Sequence, residues 1–323
     1  MKNQMETFPG SRHFRLKQVT DGVYAAIAVP GTGSLANAAI IDLGDSTVVV
    51  DTFMSIEAAK DLQTAARGLT GKPVSYVINT HWHSDHTSGN QVFSPQAQII
   101  STTAAREIMA TVGKNRVIQQ LSNLETLNQA IAELEERSKQ ETNAKLKEEM
   151  LWELASEREY IRMLPDFAYT LPTITFEQQM SICGSDRSVQ LITYGGGHTQ
   201  SDAFVYLPEE KTAIMGDLVL SKHHPVLTHA NPQAWLHILE QVELLAIETI
   251  VPGHGEICSM RELYEVKQYL NDIHALVAKA VRTHTGIEEL SVPKAYEDWH
   301  FTTYFQSNLK RVEQLLAEAA GEQ

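Results

Sequence analysis

The stretch Asn79-Thr80-His81-Trp82-His83-Ser84-Asp85-His86 constrains this chain more than any other. It follows Val74-Ser75-Tyr76-Val77-Ile78, an apolar and largely β-branched run that predicts a buried strand ending in a loop. Three imidazoles and a carboxylate crowded at a strand end suit a metal ion far better than a core. Neutral imidazole nitrogen and carboxylate oxygen are donors that zinc accepts, and they must converge from a rigid element. His81 and His83 are two apart and project together once the strand turns, whereas Asp85 and His86 lie on the next bend and can face a second ion.

Composition narrows the rest. The 323 residues suffice for one large domain or two small ones, and 43% hydrophobic with 20% charged residues is ordinary for a soluble globular protein. A net charge of −14, from 26 basic and 40 acidic residues, argues against a nucleic-acid partner. Cys183 and Cys258 form no disulfide framework, and their apolar neighbours predict buried thiols. No run approaches the ~18 apolar residues of a membrane span. The polar segment from Met1 to Arg15 has no apolar signal core, so a cytoplasmic location without a membrane partner is expected.

Residues 1–18 read as a poorly ordered lead-in and 19–323 as a single domain. Short strands around Val23, Ala38 and Thr47 are separated by Asp21-Gly22, Gly31-Thr32-Gly33 and Gly44-Asp45. Asp51 ends the third strand. It either caps the helix that begins near Ser55 or orients a metal-ligating histidine from behind. Residues 103–164 break the rhythm: Leu124, Leu127, Ile131 and Leu134 repeat at helical spacing, as do Leu151, Leu154 and Arg158, with lost register around 138–143. This predicts an antiparallel helical hairpin inserted into the domain, serving as packing, as a lid over the metal cleft or as a homodimer surface. Residues 261–323 read as C-terminal helices.

Three later segments repeat the pattern of a chemical group at a strand end: Gly195-Gly196-Gly197-His198, Gly216-Asp217 and Pro252-Gly253-His254-Gly255. Together with H-x-H-x-D-H, these segments resemble the metallo-β-lactamase superfamily in kind and in order. The resemblance implies an α/β fold, a four-layer αββα sandwich with the metals at one edge of two facing sheets. It further implies that His81, His83 and His198 hold one zinc, that Asp85, His86 and His254 hold a second, and that Asp217 bridges them. By the same resemblance Asp51 is the carboxylate behind a ligand, and Asp85 also orients the nucleophile or relays its proton. Manganese and iron are compatible with the same donors.

The function so implied is a dinuclear zinc hydrolase whose metal-bridging hydroxide attacks the carbonyl of a small thioester, ester, lactone or β-lactam. Asp rather than Cys at 217 makes the ligand set glyoxalase II-like and counts against a dedicated β-lactamase. Lys222 and His223, just beyond Asp217, are candidates for substrate binding, although a solvent-exposed lysine accounts for the first equally well. Two alternatives stand beside this reading: a β-lactamase proper, and a metal-stabilised scaffold acting as an interaction protein.

Overall fold

Along β2 (Val23–Ala28), Val23, Ala25 and Ile27 face one way and Tyr24 and Ala26 the other, as the two-residue period of a strand requires. Both faces are apolar because both are covered. The first set joins a core between two sheets, and the second packs beneath α1 (Ile56–Thr70). The computed structural model describes residues 11–321.

One sheet has seven strands in sequence order: β1 (Phe14–Thr20), β2, β3 (Ala38–Asp42), β4 (Thr47–Val50), β5 (Val74–Ile78), β6 (Gln98–Thr102) and β7 (Ile174–Phe176). It is antiparallel as far as β4 and parallel from there. The switch follows from the connections, since α1 carries the chain back over the sheet between β4 and β5. The second sheet contains β8 (Gln179–Cys183), β9 (Ser188–Gly195), β10 (Asp202–Leu207), β11 (Thr212–Leu220) and β12 (Thr249–His254), in the order β12-β11-β10-β9-β8.

The inner faces meet through Ile41, Val48, Val50, Val189, Leu191 and Val205, all fully buried. α1 covers the outside of the first sheet with Ala58, Ala59, Leu62 and Ala66. Ser55 accepts a hydrogen bond from Ala58 N at its start, and Gly71, at φ 70°, ends it in the left-handed conformation that glycine adopts without strain. Two short helices follow β5: α2 (Ser84–Thr87), which carries Asp85 and His86, and α3 (Asn90–Phe93). On the far side, α8 (Pro232–Val242), α9 (Met260–Thr283) and α10 (Tyr304–Gly321) cover the second sheet. The four layers expected for an αββα sandwich are present.

The insertion contains more than the expected pair of helices. α4 (Thr103–Ile108), a π-helical turn (Met109–Gly113) and α5 (Lys114–Ser122) precede the hairpin of α6 (Leu124–Gln140) and α7 (Ala144–Met163). The hairpin breaks at 141–143, where the Asn143 side chain caps α7. Val117, Tyr160, Met163 and Leu164 pack on Met54 of the main domain, three residues past Asp51. Lys145 Nζ donates to the carbonyls of Glu297 (2.8 Å) and Trp299 (2.6 Å), tying the hairpin to the C-terminal segment.

Three expectations need correction. The lead-in cannot extend to residue 18, because β1 begins at Phe14 and pairs with β2; residues 1–10 lie outside the described residues. Cys183 is exposed, since alternation along β8 turns its thiol outward while Ile182 faces the core. β11 does not stop before Gly216-Asp217 but runs on to Leu220, with a register shift against β12 at Gly216.

Candidate metal centre

The site residues all emerge at one edge of the two sheets. Asp51 follows β4, and the His81–His86 loop follows β5. His198 lies in the turn between β9 and β10, Asp217 within β11, and His254 at the end of β12. Asp202 shapes the His198 turn: its carboxylate accepts hydrogen bonds from Gly197 N (2.7 Å), Thr199 N (2.9 and 3.1 Å) and Thr199 Oγ1 (2.7 Å). At Gly216, with φ 49°, a Cβ would lie 2.5 Å from Thr80 Oγ1, so this bulge needs glycine to let β11 approach the metal loop.

Two groups of donors form. His81, His83, His198 and Asp217 offer ligand atoms within 4.8 Å of one another, and so do Asp85, His86 and His254. Asp217 reaches both groups. Its Oδ2 is 3.3 Å from His198 Nε2, while its Oδ1 is 3.2 Å from His86 Nε2 and 3.3 Å from His254 Nε2. Asp85 Oδ2 lies 3.4 Å from His254 Nε2 and 3.6 Å from His86 Nε2.

Two of the rings are held from behind. His86 Nδ1 donates to Asp51 Oδ2 (2.7 Å), and the Thr80 amide and hydroxyl fix that carboxylate at 2.8 Å each. Asp51 thus backs a histidine of the donor cluster, while Ser55 does the helix capping. His83 Nε2 lies 3.0 Å from His229 Nδ1, which leaves its Nδ1 facing His198 Nε2 at 3.2 Å. His229 carried no distinguishing sequence signal, being one of several scattered histidines.

The electrostatics suit a cation. Burial, then repulsion from neighbouring imidazoles, holds His81 and His83 well below the usual histidine range, so both are neutral donors. Burial also penalises charge on His254 and His86. There the carboxylates win, Asp217 foremost, raising His254 to about 10 and His86 well above its ordinary value. Burial opposes ionisation of Asp85 as well, but His86 and His254 bring it down to about 2. His81 Nε2, His86 Nε2 and Asp217 Oδ1 are buried and make no well-formed hydrogen bond, the last two facing each other only as an ion pair at 3.2 Å. Buried polar atoms left this way are costly unless something else coordinates them. Their convergence in two adjoining groups fits divalent metal ions with imidazole and carboxylate ligands.

The centre opens into a cleft of about 330 Å³ with Leu35, Leu220, Val226, Phe301 and Tyr304 among its walls. His223 lines it, with Nδ1 2.7 Å from the Ser221 carbonyl, and burial, then the charge on His254, lowers its pKa to about 3. Lys222 does not line it: its ammonium lies 3.4 Å from Asp298 Oδ2 and 3.9 Å from Glu265 Oε2. Arg116, which the sequence did not single out, comes into the wall from α5.

An αββα sandwich with paired histidine and carboxylate groups at the sheet edge defines a class of metal-dependent proteins. Residues 31–254 match the metallo-beta-lactamase superfamily, and the chain belongs to that superfamily. Solved structures agree on the fold. The metallo-beta-lactamase from Pontibacter korlensis superposes with a TM-score of 0.56 at 16% identity, covering 80% of this chain and 99% of that one. The DIM-1 metallo-beta-lactamase gives 0.57 at 17% identity, covering 80% and 98%.

Among curated relatives, the chain is 23% identical over 241 residues to a linear primary-alkylsulfatase from Pseudomonas sp. (strain ATCC 19151), covering 70% of this chain and 42% of that protein. It is 34% identical over 98 residues to the 2,4-dinitroanisole O-demethylase subunit alpha of Nocardioides sp. (strain JS1661), covering 30% and 26%. The chain thus spans less than half the length of these relatives. Among the described residues, no helix is long and apolar enough to cross a membrane.

Proposed function

We propose that this chain is a dinuclear zinc hydrolase that cleaves a small acyl substrate, an ester, thioester or lactone. The observation that carries the reading is the Asp217 carboxylate, with one oxygen turned to each donor group beneath an open cleft. A structural zinc site would be closed by four ligands, and this arrangement is neither single nor closed.

Two zinc ions at these ligands would lower the pKa of a shared water towards ~7 and take up negative charge developing on the substrate oxygen. His81, His83 and His198 would hold one ion, with His229 behind His83 and the Asp202-braced turn keeping His198 in place. Asp85 is ionised at neutral pH and borders the cleft, where its carboxylate can accept a hydrogen bond from the attacking water and orient it. His223 presents an uncharged ring to the substrate. Leu220, Val226 and Phe301 hold its apolar part away from water.

A second reading, hydrolysis of a sulfate ester, is favoured by the alkylsulfatase similarity along most of the chain. One assay addresses both. The zinc-loaded protein is offered para-nitrophenyl acetate, an acyl thioester, a lactone, a chromogenic cephalosporin and para-nitrophenyl sulfate, with a His83→Ala control prepared identically. Turnover of an acyl compound that vanishes in the control supports the first reading, and turnover of the sulfate alone moves the second ahead. A folded protein with two bound zincs and no turnover at all leaves the scaffold alternative.

A further inference from the structure

Arg116 is the one lysine or arginine among the described residues that lines the metal cleft. It also lines an adjoining cavity of about 80 Å³, with Gln120, Glu157 and Tyr160, so its side chain borders both spaces. Among the described residues it makes no side-chain hydrogen bond or ion pair. Glu157 shares that cavity, but its carboxylate forms no ion pair with Arg116.

The backbone sets this placement. The π-helical turn Met109–Gly113 adds a residue to the turn before α5, which rotates the following face by about 100° relative to a continuous α-helix. Val117 then turns into the packed cluster on Met54, and its neighbour Arg116 borders the cleft. Gly113 makes the turn fit, since a Cβ there would lie 2.0 Å from the Tyr169 hydroxyl.

We propose that Arg116 determines specificity for a substrate bearing an oxyanion, a carboxylate or a sulfonate, in addition to its scissile bond. A guanidinium offers a planar fork of donors that matches such groups, and an unpaired one has no internal acceptor to give up on binding. The proposal names the substrate class of the hydrolase read above and rests on that reading. The binding it predicts is measurable without turnover.

The test is calorimetric binding of para-nitrobenzoate, para-nitrobenzenesulfonate and neutral para-nitrobenzamide to the zinc-loaded protein, wild type, Arg116→Ala and Arg116→Lys, at matched ionic strength. Wild type should prefer at least one anion over the amide, and Arg116→Ala should reduce that preference roughly tenfold to a hundredfold. Arg116→Lys should restore part of it by keeping the charge without the fork. Which anion shows the Arg116-dependent preference separates the carboxylate from the sulfonate source. No preference in wild type, or a preference unchanged in Arg116→Ala, overturns the proposal; the latter outcome assigns the anion to direct zinc ligation. An Arg116-dependent preference in a protein that hydrolyses none of the assayed esters would sink the hydrolase reading and leave the oxyanion site standing.

Discussion

Asp51 and His86 form a fully enclosed pair, with Oδ2 2.7 Å from Nδ1, and the aspartate backbone sits at φ 59° to make it. A non-glycine residue in the left-handed region costs energy, so the surrounding contacts must hold it there. Thr80 supplies two of them. Replacing Asp51 by Asn should keep the shape but weaken the hold on the His86 ring. Zinc affinity of the Asp85–His86–His254 group should fall by about tenfold to a hundredfold, read by competition with a chromophoric chelator. Unchanged affinity would show that ring orientation does not depend on this pair.

Gly253 is a second point of fine tolerance. A Cβ there would lie 2.0 Å from Asp217 Oδ1 and 2.7 Å from the Gly216 carbonyl carbon. Gly253→Ala should therefore displace the carboxylate that reaches both donor groups. The expected outcome is loss of stoichiometric metal by elemental analysis, and retention of two zincs per chain would refute it.

Metal binding should release protons. His254 titrates near 10 in the metal-free protein and His86 is also raised, so both carry a proton at neutral pH that a ligating imidazole must give up. Zinc titrations in buffers of different ionisation enthalpy should show about one to two protons released per chain near pH ~7.5. The same shifts set the stability of the metal-free protein. A raised histidine pKa contributes fully below the ordinary value near ~6.5 and fades as pH climbs through the folded one. The melting temperature of chelator-treated protein should thus fall between pH ~7 and ~10. The lowered Asp85 acts the other way and is lost only in strong acid, towards about 2. A melting temperature that rises over the alkaline interval would contradict this charge arrangement.

Lys222 offers a contrast with Arg116. Its ammonium faces Asp298 and Glu265, away from the cleft, and its backbone is left-handed at φ 56°. Lys222→Asn, a residue that tolerates that conformation, should leave KM for any hydrolysed substrate within about twofold of wild type. A large rise in KM would restore Lys222 as a substrate contact.

The sequence by itself determined the ligand-bearing segments and the elements that deliver them. Apolar β-branched runs leading into His81, His198, Asp217 and His254 are local patterns, and parallel or adjacent strands deliver the residues near their ends to one edge of the sheets. The helical repeat of 124–134 announced the insertion in the same way, because a 3.6-residue period is visible without knowing its partner. Tertiary structure decided what meets what. It gave Asp51 to His86 rather than to a helix start, drew His229 behind His83 across 146 positions, and let β11 continue past Asp217 on a glycine bulge. It also turned Lys222 outward and brought Arg116 in through a π-turn that no hydrophobic pattern marks. Periodicity fixes the direction of a side chain relative to its own element, whereas contacts between distant segments depend on how whole layers pack.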